Sequence, residues 1–127
     1  MTTLRLHAKR IFDGQNYLDD QVIVINNGKV AGFDSDTSCV DDVLDGLVVP
    51  GFIDLQVNGG GGVLFNNSPS VKNLRIIIAA HSQFGTTGML PTLITDKVEV
   101  MAQAADAMAS ARFVTVIWPA PFCRFER

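Results

Sequence analysis

Pro50-Gly51-Phe52-Ile53-Asp54-Leu55-Gln56-Val57-Asn58-Gly59-Gly60-Gly61-Gly62 decides how this chain is read. Side chains alternate sides along a strand, so Asp54, Gln56 and Asn58 share one face and Ile53, Leu55 and Val57 the other. The strand runs into four glycines, whose backbone freedom permits either a sharp exit or a close approach to a ligand. Amide and carboxylate groups on one face of such a strand suit the first strand of a β/α barrel. Barrel sites are built from loops at the C-terminal strand ends.

Outward from that stretch the pattern alternates strand and helix. Ser68 is a candidate N-cap with Pro69 at the first helical position. Val71, Leu74, Ile77, Ile78 and His81 fall on one helical stripe, which Gly85 ends. Met89-Leu90-Pro91-Thr92-Leu93-Ile94 predicts a second strand. Asp96 and Glu99 have capping-box spacing, opening a helix to about Arg112 with Val98, Met101, Ala105 and Met108 inward. Phe113–Trp118 predicts a third strand. A β-α-β-α-β order implies a parallel sheet.

The first fifty residues follow another rule. Leu4, Leu6 and Ala8 alternate with Arg5, His7 and Lys9, the signature of a half-buried strand. Asp13-Gly14 is a turn signal. Val22–Ile25 and Lys29–Phe33 flank Asn27-Gly28, a favoured two-residue hairpin turn. A short strand is predicted near Asp45–Val49 after the polar loop Asp34–Ser38. Together these predict a small antiparallel β unit.

The bulk properties narrow the function classes. The 127 residues are 47% hydrophobic and 18% charged, a globular balance. A complete (β/α)₈ barrel takes about 250 residues. The net charge of −3 gives no reason to expect nucleic acid or an anionic membrane as a partner. Cys39 and Cys123 are too few for a disulfide framework, so a reduced, cytoplasmic setting is the expectation. No apolar stretch is long enough to span a bilayer, and the N-terminus lacks the core of a secretory signal.

Few residues offer chemistry. The glycine loop has no following Gly-Lys-Ser/Thr and lacks the third glycine of the dinucleotide fingerprint. His7 lies on the β unit, and His81 sits among aliphatics, which suits an interface or core residue. A catalytic zinc takes about three protein ligands, and none stand at usable spacing. Asp54 is either an acid–base group or a structural carboxylate; its early place in the strand favours structure. Gln56 and Asn58 cannot transfer protons at neutral pH. They either orient a substrate or a metal-bound water, or satisfy interior polar groups.

Arg10-Ile11-Phe12-Asp13-Gly14, Pro50 to Gly59, and Gly85-Thr86-Thr87-Gly88-Met89-Leu90-Pro91-Thr92-Leu93-Ile94-Thr95 together resemble a known family. They are similar to the N-terminal part of N-acetylglucosamine-6-phosphate deacetylases of the amidohydrolase superfamily, over residues 1 to about 112. Pro-Gly-Phe-Ile-Asp alone would indicate only the superfamily. Many relatives, such as dihydroorotases and base deaminases, follow it with a metal-binding His-x-His. Here those positions are Gln56 and Asn58, as in the deacetylases that resemble a single-metal enzyme.

The resemblance implies an α/β fold. Residues 1–50 would form part of a small β-sandwich built from both chain ends, and residues 51–112 the first two to three βα units of a TIM-type barrel. It implies hydrolysis of N-acetylglucosamine 6-phosphate to glucosamine 6-phosphate and acetate. A divalent metal, zinc or similar, would activate water, and an aspartate would shuttle the proton. Intact members are expected to be homo-oligomers. Gln56, Asn58, Gly59, Gly60 and Gly61 are the candidate residues lining the site.

The family's metal glutamate belongs to a His-x-Glu-Gly-Pro-type motif beyond the third strand, and its metal histidines and catalytic aspartate come later. At the expected place stands Ile117-Trp118-Pro119-Ala120-Pro121-Phe122-Cys123-Arg124-Phe125-Glu126-Arg127, where Glu126 has no matching context. No catalytic residue and no metal ligand is therefore assigned within this chain. Residues 113–127 are expected to be an atypical tail, from a shifted frame or premature stop. An incomplete barrel would expose an edge and apolar faces, so the chain alone is expected to be silent, poorly soluble, and prone to aggregate or pair. The rival readings are a non-catalytic module that binds another chain, and a different amidohydrolase acting on a ring amide, which Gln56 and Asn58 disfavour.

Overall fold

The computed structural model describes residues 2–111 and the backbone of Phe122–Phe125. The chain divides into two compact units: Met1–Gly51 with the C-terminal strand, and a unit beginning at Phe52. The predicted strand at 113–118 and Glu126 lie outside the described residues, as does the Cys123 side chain.

Turn chemistry sets the first hairpin. Asn27 and Gly28 both take positive φ, 51° and 77°, as a two-residue turn matching strand twist requires. It joins β2 (Tyr17–Asn26) to β3 (Lys29–Asp34), while β1 (Thr3–Phe12) pairs antiparallel with β2 from Thr3↔Asn26 to Phe12↔Tyr17. The expected antiparallel unit needs one correction. β4 (Asp42–Pro50) lies parallel to β1 on its other side, giving the order β3-β2-β1-β4-β9, with β9 (Phe122–Phe125) antiparallel on β4.

The connection that makes β4 parallel is held by Arg5. Its guanidinium donates to Asp34 Oδ2 at 3.0 Å, to the Asp36 carbonyl at 2.9 Å and to the Cys39 carbonyl at 2.8 Å. The Arg5 N–H donates to Asp41 Oδ2 at 2.7 Å. The chain thus crosses from β3 to the far edge of β1 before entering β4. Leu6, Ala8, Ile11, Ile23, Ile25 and Val48 form the buried core of this unit, packed by Leu4, Leu18 and Leu44.

The second unit is βαβα at its centre. β5 (Phe52–Val57) and β8 (Thr86–Pro91) pair in parallel across α1 (Val71–Ser82), and α2 (Val98–Ser110) follows. Between β5 and α1 lie a small hairpin, β6 (Gly59–Gly60) with β7 (Val63–Leu64), and a 3₁₀ turn at Phe65–Asn67. Val57, Phe65, Leu74, Ile77, Ala104 and Ala107 form its core. Among the described residues, no helix is long and apolar enough to cross a membrane.

Several local expectations shift. The cap of α1 is Ser70, not Ser68: its hydroxyl accepts from the Asn73 N–H at 3.2 Å. β8 starts at Thr86 rather than Met89, because Gly85 takes a positive φ of 92° and its carbonyl accepts from the Phe52 N–H at 2.9 Å, placing Thr86 beside β5. It ends at Pro91, which has no N–H to continue the ladder. Lys97, not Asp96, caps α2, with no side-chain bond. Nor does α2 bury its large residues. Ala104 and Ala107 face the core, whereas Val98, Met101, Ala105 and Met108 are exposed. Small alanines allow closer helix approach than the predicted stripe.

Candidate functional site

The ends of β5 and β8 and the segments that follow them make one hydrogen-bonded neighbourhood. The Thr92 N–H donates to the Val57 carbonyl at 2.8 Å, extending the contact past Pro91. Asn58 lies just beyond β5 and is half-buried; its carbonyl accepts from the Phe65 N–H at 2.8 Å, and its Nδ2 donates to the Thr92 carbonyl at 3.4 Å. Gln56 is exposed, and its N–H donates to Asp54 Oδ1 at 3.1 Å. That bond gives Asp54 a local backbone role. The alternation expected along β5 is interrupted, since the pairing register shifts between Asp54 and Val57. Only Val57 of the predicted apolar face is buried; Ile53 and Leu55 are exposed.

The glycines have an explanation inside the fold. Gly61 and Gly62 take φ of +60° and +79°, the two positive values a tight hairpin turn demands. A Cβ on Gly59 would collide with the Val63 carbonyl. On Gly60 it would stand 2.9 Å from His81 Nε2, and on Gly61 2.9 Å from Ile76 Cγ2. The hairpin is thus pressed onto α1. His81, from the last turn of α1, bonds the Gly59 carbonyl through Nε2 at 2.9 Å. This histidine, expected as an interface or core residue, secures the glycine backbone.

Asn66 was not singled out from sequence, yet it is the most connected polar side chain here. It is buried in the 3₁₀ turn. Its Oδ1 accepts from the Ile94 N–H at 2.9 Å; its Nδ2 donates to the Ile94 carbonyl at 2.7 Å and to Asp96 Oδ2 at 3.1 Å. The Asn66 amide, then the Lys97 N–H, holds the Asp96 carboxyl below its ordinary value. Asn66 meets residues 28 and 30 positions away, so nothing local in sequence signals it.

Metal ligation does not fit what is present. Among the described residues no three His, Cys, Asp or Glu side chains converge. His7 Nε2 contacts Asp20 Oδ1 at 2.7 Å within the first unit, and His81 is engaged by the glycine hairpin. Cys39 is an exposed free thiol. The amide groups near Asn58 can donate and accept hydrogen bonds and orient a polar ligand, but they cannot exchange protons.

Known proteins are similar to this chain in sequence and fold. The sequence is 47% identical over 111 residues to an N-acetylgalactosamine-6-phosphate deacetylase of Shewanella sp. strain ANA-3, covering 82% of this chain and 28% of that protein. It is 42% identical over 67 residues to an N-acetylglucosamine-6-phosphate deacetylase of Haemophilus influenzae, covering 53% of this chain and 18% of that protein. The N-acetylglucosamine-6-phosphate deacetylase of Pasteurella multocida superposes with a TM-score of 0.81 at 30% identity, over 91% of this chain and 32% of that one. The chain matches the N-terminal part of the amino-sugar-6-phosphate deacetylases.

It spans less than a third of the length of these deacetylases. No family model matches the sequence. An E. coli guanine deaminase superposes with a TM-score of 0.56 at 17% identity over 87% of this chain and 33% of that one, a likeness of fold alone. The deacetylase match, at 111 aligned residues, thus extends well beyond the Phe52–Val57 strand.

Proposed function

We propose that this segment forms the N-terminal part of a metal-dependent deacetylase that hydrolyses the acetamide of an N-acetylhexosamine 6-phosphate, releasing acetate. The observation that carries this reading is 47% identity over 111 residues to the Shewanella enzyme. That relative is named for the galacto sugar and the Haemophilus one for the gluco sugar. The substrate class is therefore the 2-acetamido sugar phosphate, with its C4 configuration open. The barrel assignment belongs to the same proposal: β5-α1-β8-α2 would be the first two βα units, with residues 1–50 the flanking β domain and 113–127 an atypical tail. The setting would be the cytoplasm, where a phosphorylated sugar is retained.

Within that reading Gln56, Asn58 and the Gly59–Gly61 backbone line the substrate side, and their role is to orient rather than to transfer protons. The metal and the proton-shuttling aspartate would be held by the part of the intact enzyme that this segment does not cover. The 127 residues alone should release no acetate above a blank. A graft of residues 2–111 in place of the matching segment of the Shewanella enzyme should deacetylate N-acetylgalactosamine or N-acetylglucosamine 6-phosphate. A folded graft inactive on both sugars, or metal-dependent activity in the short chain, overturns the proposal. Exposed Ile53, Leu55, Val98 and Leu90 favour a second reading, a non-catalytic module that pairs with another chain. Co-purification at fixed stoichiometry would support it.

A further inference from the structure

We propose that Asn66 is a positioning residue that clamps the strap 92–96 and, through Thr92, aims the Asn58 amide. This rests on the deacetylase reading for its catalytic consequence, but the clamp itself is a property of the fold. The strap leaves the C-terminal end of β8 with its N-terminal end already fixed, since the Thr92 N–H donates to Val57. Its other end is held by the Asn66 side chain, which bonds both the N–H and the carbonyl of Ile94 and reaches Asp96, while Leu93, between Thr92 and Ile94, packs against the core. A primary amide that donates and accepts to the same residue imitates a strand partner, and only Asn and Gln carry a carbonyl and an NH₂ side by side on one planar side-chain group. Between the two anchors lies the Thr92 carbonyl that accepts from Asn58 Nδ2 at 3.4 Å. That bond is long and weak, so its geometry depends on what holds the strap.

Asn66 has its own support. Phe65, beside it, is buried in the core, and the Phe65 N–H bonds the Asn58 carbonyl at 2.8 Å. Backbone and side chain of Asn58 are thereby tied to the two ends of one circuit, Asn58–Phe65–Asn66–Ile94–Thr92–Asn58. Breaking the circuit at Asn66 frees the strap without removing any residue that faces the candidate site.

Two measurements test it. In the full 127-residue chain, Asn66→Ala should speed amide exchange at Ile94 at least about tenfold while the amides of α1 change by less than about twofold. Asp96→Ala, at an exposed residue, removes one arm only and should speed Ile94 exchange by less; it covers the case in which Asn66→Ala does not fold. Unchanged exchange at Ile94 in either folded variant overturns the clamp. In the active graft, Asn58→Ala and Asn66→Ala should each lower kcat/KM. Combined, they should lose no more than about twofold beyond Asn58→Ala alone, because residues acting through one another are not additive. Losses that simply multiply would mean that Asn66 acts by general stability, and would overturn the positioning role. A folded parent graft that releases no acetate sinks the deacetylase reading and the catalytic half of this proposal, while exchange at Ile94 separately decides the clamp.

Discussion

The two units bury apolar side chains to very different degrees. In the first, Ile11, Val22, Ile23 and Val48 are almost fully buried, and the exposed large residues, Tyr17, Val30, Phe33 and Val43, are scattered over β2, β3 and β4. The second also encloses Phe65, Leu74 and Ile77, yet it leaves Ile53, Leu55, Phe84, Leu90, Ile94 and Val98 more than half exposed. Scattered exposed apolar residues are ordinary, whereas several on one small unit mark surfaces made to be covered. A sheet of two strands is marginal without further packing. The first unit is a near-finished layer; the second consists of a well-made centre with unfinished flanks.

The sharpest way to break this contrast is to remove one core isoleucine from each unit. Ile23→Ala and Ile77→Ala both delete fully buried groups, and each should cost about 2–5 kcal/mol. The second unit has less to lose, so Ile77→Ala should abolish slow amide exchange in α1 and β8 altogether. Ile23→Ala should instead raise exchange in β1 and β2 while leaving measurable protection there. Hydrogen exchange resolved by peptide reads both. If either variant loosened both units equally, the expected difference in stability between the two compact units would fail.

A smaller loss is expected at the glycine hairpin. Gly60→Ala puts a Cβ 2.9 Å from His81 Nε2 and 3.4 Å from the Ile77 carbonyl. The imidazole must move, and its bond to the Gly59 carbonyl goes with it. A cost of about 1–3 kcal/mol is expected, in the range for overpacking a tight contact. His81→Ala should relieve the clash, so the double variant should recover part of the loss in urea midpoint. Failure of His81→Ala to compensate would mean that the tight packing is not against this ring.

Legibility in the sequence followed the range of the interaction. The Asn27-Gly28 turn, the strand Phe52–Val57 and the stripe Leu74, Ile77, Ile78 depend on neighbours within a few residues, and all are found. The cap slipped from Ser68 to Ser70 because Ser-Pro-Ser offers two hydroxyls, and only packing selects between them. The parallel placement of β4 depends on Arg5 gathering a loop some thirty residues away, which no local pattern encodes. Of the candidate site, Asn58 and the glycines stand out because a strand running into glycines is unusual. Asn66 does not, since an asparagine between Phe65 and Asn67 looks like any turn residue until Ile94 is placed beside it.

The mildest substitutions sharpen the contrast furthest. Leu55 is 71% exposed and Val98 70%, so replacing either with Ser removes little buried surface and should change stability by no more than about 0.5 kcal/mol. Solubility should respond instead. If the uncovered flanks of the second unit drive association, Leu55→Ser with Val98→Ser should reduce light scattering and shift the chain toward smaller species in sizing chromatography. The same change at Tyr17 and Val43, the two most exposed large residues of the first unit, should leave association as it was. Equal responses from the two pairs would mean that association depends on total apolar exposure, not on the unfinished flanks of the unit that begins at Phe52.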